Sequence, residues 1–306
     1  MDAVVIAARI AQFTAAAILF GAPLFLLYGL RPAARAGLSW PRPTALAASL
    51  VLLVGALVTL LVQTASMAGD PAAALDGEML TMVLAETAFG LAIAGRAAAA
   101  TAALVLALTL RPGRALWLAL VGLGTVALAS FAWTGHGAAT EGPGSGLHLA
   151  ADLLHLLAAG VWLGALAALA LMLRPQRAPR DPDALQALHG ALAGFSGIGS
   201  AVVAVLLATG LVNSWFLVGP AGISRMGASA YGVLLIAKLV LFVAMLGLAA
   251  ANRFRHTPAL AAALAGEAPG PALAALRRSI LLESAAGFGV LMLVGIMGTL
   301  APVAAQ

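Results

Sequence analysis

Apolar runs of about 20 residues or more recur along the chain, separated by short segments rich in Arg, Asp, Glu, Pro and Gly. The pattern predicts spanning helices near 4–30, 44–67, 79–110, 115–134, 148–173, 190–217, 230–251 and 280–301. Each run is long enough to cross a hydrocarbon core of about 30 Å. The run at 79–110 is too long for a straight crossing. Either it tilts, or a short interfacial helix around 78–86 precedes the crossing. The predicted fold is all-α: a polytopic transmembrane bundle of about eight helices, forming one integral membrane domain over residues 1–306 with the lipid bilayer as its first partner.

The connecting segments carry the orientation. Arg31, Arg35 and Arg42 follow the first run, Arg111 and Arg114 the third, Arg174, Arg177 and Arg180 the fifth, and Arg253, Arg255, Arg277 and Arg278 the seventh. The other connections hold Arg225 alone, beside Asp70, Asp76, Glu78 and Glu141, so the Lys plus Arg count is 12 against 1. Basic loops stay in the cytoplasm, which predicts that both termini are periplasmic in a bacterial inner membrane. The bias holds at every connection and so supports the helix count. The amino end carries Asp2 rather than a basic cluster, and its apolar run is too long for a secretory signal, so it reads as a retained first helix. Segment 257–272, rich in Pro, Gly and Ala, reads as a cytoplasmic linker, and 141–146 as a Gly-rich turn.

Composition narrows the function. Of the residues 63% are hydrophobic and only 9% charged, and the mean hydropathy is +1.06, beyond what a water-soluble fold could bury. The net charge of +5 would suggest nucleic acid in a soluble domain, but here the basic residues sit between spans and set topology. Nucleic-acid binding is therefore not expected. No Walker motif, GxSxG elbow or dinucleotide fingerprint is present, which argues against nucleotide chemistry. Cysteine is absent, so thiolate catalysis, disulfides and Cys-ligated metals are excluded. A bound metal would use His, Met, carboxylate or backbone oxygen.

One constellation stands out. Thr134-Gly-His136-Gly ends the fourth run, and the fifth opens with His148-Leu-Ala-Ala-Asp152-Leu-Leu-His155. At 100° per residue, positions 148, 152 and 155 fall on one helical stripe, in the periplasmic half by the predicted topology. His148 and His155 are separated by about 10 Å along the axis, so the two imidazoles alone cannot share one ion. Asp152 can pair with either, and His136 could close the upper site. This yields one site near the surface, or two steps of a descending path. Imidazole with carboxylate suits Cu(II), Zn or Ni, and imidazole alone also suits haem iron. The competing reading is that each His is a hydrogen-bonded packing residue between helices.

Methionine is a second ligand type. Met67, Met79, Met82, Met226, Met292 and Met297 lie toward the same side, and Met79 and Met82, one turn apart, are the best placed of them. Thioether sulfur favours Cu(I), although Met is also ordinary apolar filler. Other polar residues within the runs are Arg9, Glu86, Arg96, Asn213, Lys238 and Glu283. Lys238 and Asn213 fall at similar depth, and a buried ammonium there needs a partner, for which Asp152 and Asn213 are the candidates. Arg9 is a similar case. Glu283 is expected to pair with loop arginines. Trp162 and Trp215 are either interface anchors or pocket walls, and Gly160-Val-Trp-Leu-Gly164 is a small-xxx-small pattern suited to close helix packing.

Together these residues resemble the CopD family of bacterial copper-resistance membrane proteins. The likeness is densest at about 190–304: Thr209-Gly-Leu-Val-Asn213-Ser-Trp215, Tyr231, Lys238, Asn252-Arg-Phe-Arg255, Leu276-Arg-Arg-Ser-Ile-Leu-Leu-Glu283 and Gly298-Thr-Leu-Ala-Pro302. Gly21-Ala-Pro-Leu-Phe25 and His155-Leu-Leu-Ala-Ala-Gly-Val-Trp162-Leu-Gly164 extend it upstream. The resemblance implies movement of copper across the inner membrane, alongside a small periplasmic copper-binding partner of the CopC type.

The expected function is therefore copper transport rather than enzymatic catalysis. His136, His148, Asp152 and His155 form the acceptor group for Cu(I) or Cu(II), and Lys238 serves as a gating or charge-compensating residue. The alternatives are a membrane b-type cytochrome, an oxidoreductase in which His136 would partner one of the other histidines on haem b or two haems would be needed, and a copper-binding sensor or assembly factor that moves no ion.

Overall fold

The computed structural model describes residues 2–135, 137–138, 140–175, 181–266 and 269–305. Arg177 and Arg180 of the predicted basic loop, and His136 of the predicted site, lie outside the described residues. In chain order the α-helices are α1 (Asp2–Gly29), α2 (Pro32–Ala36), α3 (Pro41–Ala68), α4 (Gly77–Glu86), α5 (Ala88–Thr109) and α6 (Arg114–Ala129). They are followed by α7 (Ser145–Met172), α8 (Pro182–Leu217), α9 (Gly219–Gly222), α10 (Ala230–Ala251), α11 (Thr257–Ala265) and α12 (Gly270–Met297). No strand occurs among the described residues. Eight helical stretches, built on α1, α3, α5, α6, α7, α8, α10 and α12, are long and apolar enough to cross a membrane. Their outward faces carry exposed Leu50, Val54 and Leu57 on α3, Leu207 and Leu211 on α8, and Val240 and Val243 on α10. Apolar faces of this extent suit lipid rather than water.

An even number of crossings puts both chain ends on one face of the bundle. The opposite face gathers the arginine-rich connections, and there Arg42 at the start of α3 donates from Nε to the carbonyl of Ala107 (2.7 Å), one of the unpaired carbonyls that end α5.

The long third run breaks into the shorter of its two predicted forms. Thr87 is extended (φ −117°, ψ 142°) between α4 and α5. Its hydroxyl accepts from Gly90 N–H at 2.9 Å and donates to Val83 O at 2.6 Å, so one side chain ends α4 and opens α5. Two other expectations are corrected. The region read as a linker at 257–272 is largely helix, because α10 continues through a π-helical turn (Asn252–His256) into α11. Pro258 has no N–H to donate to the carbonyl four residues earlier, and a widened turn is one way a helix absorbs that loss. The helices α8 and α12 also begin at Pro182 and Gly270, well before the apolar runs at 190 and 280, since Ala- and Leu-rich sequence prolongs a helix beyond its lipid-facing part.

The centre of the bundle is α1, which packs against α3, α6, α7 and α12. Its approach to α7 is backbone to backbone: a Cβ on Gly21 would overlap the carbonyl of Gly160 and the Cα of Gly164, so the small-xxx-small pattern has its partner in α1. Gly164→Ala is therefore expected to lower the thermal midpoint of the purified protein. Forced overpacking costs about 1–3 kcal/mol. Gly95→Ala, where a Cβ meets open space, should leave the midpoint unchanged.

Candidate functional site

Residues 148, 152, 155, 159, 162, 166 and 169 recur at alternating steps of four and three along α7, so they occupy one stripe of that helix. Antiparallel α8 supplies the facing residues in register. The His148 ring, only 1% exposed, stacks on Phe216 with centroids 4.7 Å apart and planes 7° from parallel, and its Nδ1 lies 2.7 Å from Thr140 Oγ1. One step down, Asp152 lies against the backbone of Gly137, where a Cβ would come within 3.0 Å of its Cγ. Asn213 lies between Phe216 and Thr209 on the facing stripe of α8, and its Oδ1 is buried without a partner. One step further, His155 Nδ1 lies 2.9 Å from Thr209 Oγ1.

The His155 contact fixes a tautomer. A threonine hydroxyl has one proton, and that of Thr209 is given to the Val205 carbonyl at 2.6 Å. Thr209 therefore accepts from His155 Nδ1–H, which leaves Nε2 with its in-plane lone pair, the form in which imidazole binds a metal.

The third wall is α10. Lys238 is close enough to act electrostatically on both Asp152 and His155, and Asp152 on Tyr231. Neither Asp152 nor Lys238 makes a hydrogen bond or ion pair with a described residue. The result is a carboxylate, an ammonium and an imidazole lone pair at adjacent levels, each with unused bonding capacity. Among the described residues no three His, Asp or Glu side chains converge on one metal-sized point. The three residues of α7 are thus rungs along the helix rather than a cage.

Other predicted residues lie elsewhere. Met79 and Met82 are on α4, which packs on α3 and α5, so they stand apart from the stripe that faces α8 and α10. Arg9 belongs to a separate polar knot. It donates to the Thr134 carbonyl (3.2 Å), and nearby Arg96, only 1% exposed, lies 3.6 Å over the Phe131 ring. Arg96 donates to Gln12 Oε1 (2.9 Å), Ser130 Oγ (2.9 Å) and Thr134 Oγ1 (3.2 Å). Glu283 pairs with no loop arginine among the described residues, contrary to the expectation. Its Oε1 accepts from Trp162 Nε1 (2.7 Å) and its Oε2 from Asn252 Nδ2 (2.8 Å), because it faces inward from α12. Trp162 is buried and Trp215 is 65% exposed, so the first is a pocket wall and the second faces outward.

One residue missed in the sequence is Met245. It is 4% exposed on α10, seven residues from both Lys238 and Asn252, and its thioether lies at the helix surface of Gly287 on α12. The seven-residue spacing of Tyr231, Lys238, Met245 and Asn252 was the available signal.

Comparison with known proteins identifies the setting of these residues. Residues 1–147 match the N-terminal domain described as copper resistance protein D-like, and residues 189–297 match copper resistance protein D. The chain is 41% identical over 304 residues to copper resistance protein D of Pseudomonas syringae pv. tomato, covering 98% of this chain and 97% of that protein. It is 37% identical over 119 residues to the copper transport protein CutJ of Bacillus subtilis (strain 168), covering 39% of this chain and 21% of that protein. No solved structure matches. With two family matches along the chain and a relative aligned over nearly its whole length, this multi-pass membrane protein belongs to the copper resistance protein D family.

Proposed function

We propose that the chain transports copper across a bacterial inner membrane, accepting the ion from the periplasmic side at the His148, Asp152 and His155 rungs with His136 as a further ligand. The observation that carries this reading is the His155 Nε2 lone pair, held by the Thr209 contact at the level of an Asp152 and a Lys238 that lack hydrogen-bond partners among the described residues. The arginine bias of the connections supports a periplasmic location for these rungs. Imidazole and carboxylate can bind Cu(II), and the buried Met245 thioether further along α10 offers a soft ligand for Cu(I) at the next stage. Lys238 repels a cation when the rungs are empty and compensates Asp152, which gives it a gating role. A small periplasmic copper-binding protein of the CopC type would deliver the ion.

Metal and haem analysis of the purified protein, followed by copper flux into proteoliposomes, tests the reading. Stoichiometric copper, no Soret band and measurable flux are expected. His148→Ala and His155→Ala should each weaken binding and flux in protein that still inserts. A Soret band would instead support the cytochrome, and copper bound without flux would support a sensor or assembly factor. If both variants bind and move copper as the parent does, the rungs are structural.

A further inference from the structure

Beyond His155 the stripe of α7 continues as Trp162, Leu166 and Leu169, which form one wall of a cavity of about 280 Å³. Residues of α8, α10, α11, α12 and the π-helical turn complete its lining. Glu283 is part of this lining and is itself only 1% exposed. Both groups that donate to its carboxylate, Trp162 and Asn252, are neutral. The other charged group lining the cavity is Arg253 of the π-helical turn, and it donates instead to Ser196 O and Ser200 Oγ of α8. The lining residues from α7 and α8 are uncharged, as are Thr257 of α11 and Ile280 of α12.

An unused oxygen lies on a neighbour of this carboxylate, and another lies one helical turn from it on α12. Asn252 gives its amide N–H to Glu283, and its Oδ1 is left buried with no partner. Ser279, one turn before Glu283 on α12, also has a buried hydroxyl without a partner. A carboxylate removed from water, held only by neutral donors and beside the idle amide oxygen of Asn252, lacks positive charge. The available atoms are hard oxygens, which favour hard cations over the soft Cu(I) ion. The π-helical turn, a type of distortion often found at functional sites, is what presents Asn252 to Glu283.

We propose that Glu283, with Asn252 and Ser279, forms a binding site for a hard monovalent cation, a proton or sodium, near the arginine-rich end of the bundle. If the transport reading holds, this is the coupling site for copper movement, joined to the rungs along the same stripe of α7. Cation binding here does not depend on that reading.

The test uses purified full-length protein without copper. Sodium chloride is titrated against choline chloride at fixed pH, then pH is titrated in choline. The readouts are tryptophan emission, with Trp162→Phe to assign the signal, the thermal midpoint, and the infrared band of a protonated carboxyl. A sodium-dependent change that Glu283→Gln removes, and that Asn252→Ala shifts at least fivefold to higher concentration, identifies sodium. A carboxyl band that titrates with pH and is missing in Glu283→Gln identifies the proton. Glutamine keeps the shape of Glu283, and Asn252 can reverse its amide to meet it, so this variant should fold; Asn252→Ala provides the second readout if it does not. The proposal is overturned if parent and Glu283→Gln respond identically to sodium and pH, or if Cu(I) changes the Trp162 signal while sodium and pH do not. Copper flux with and without the identified cation gradient then tests the coupling role separately.

Discussion

Asp152→Asn should weaken copper binding by the purified protein at least tenfold, or about 1.4 kcal/mol, as measured by competition with a chelator. The substitution keeps side-chain volume but removes the anion beside Lys238, so the ammonium both loses its compensating charge and repels an incoming cation from the His155 level. Lys238→Met in the same protein separates the two effects. The double variant contains neither charge, so its thermal midpoint should return toward that of the parent. Its copper affinity should not recover fully, because the carboxylate ligand is still missing. If the double variant binds copper like the parent, Asp152 serves only to balance Lys238.

The second large effect concerns folding. Arg96→Ala should prevent accumulation of the protein in the membrane, or yield a protein that aggregates on extraction, measured by membrane yield and size-exclusion profile. Removing the guanidinium leaves Gln12, Ser130 and Thr134 without their shared donor and opens space over the Phe131 ring. Each buried acceptor left without its donor costs about 1–3 kcal/mol, and the space opened over Phe131 adds a cavity cost. Arg96→Lys should fall between the two, since one ammonium cannot reach three acceptors in the fork geometry of arginine. The effect should be independent of copper.

Much of this architecture is legible in the sequence because bilayer thickness and helical periodicity are strict rulers. The apolar runs predict the eight crossings, and the 148, 152, 155 spacing places three polar groups on one stripe before any contact is known. Partners were harder to read. Glu283 looks like a loop-facing acid until the rotation of α12 directs it to residues 121 and 31 positions away. Arg96 lies in an Ala-rich stretch, and nothing local indicates that two other elements, α1 and the turn after α6, converge on it. The register of α7 against α8, which pairs His155 with Thr209 and His148 with Phe216, comes from packing between helices and has no signature in either helix alone. The helices extend beyond their apolar runs at 182 and 270 because the end of an apolar run marks the lipid boundary, whereas a helix ends where its backbone hydrogen bonding stops.

The glycine contact between α1 and α7 also bears on how the chain is made. Gly21 must meet Gly160 and Gly164, about 140 residues later in synthesis, which at ~5–20 residues per second is a wait of roughly 7–28 s. During that interval the Arg96 knot, whose members lie on α1, α5 and the turn after α6, can already close. The first four crossings thus have the means to satisfy their polar groups while the ribosome is still translating, leaving a smooth glycine face on α1 as the dock for the later half. The members of the knot all precede in the chain the helix that carries His148, Asp152 and His155.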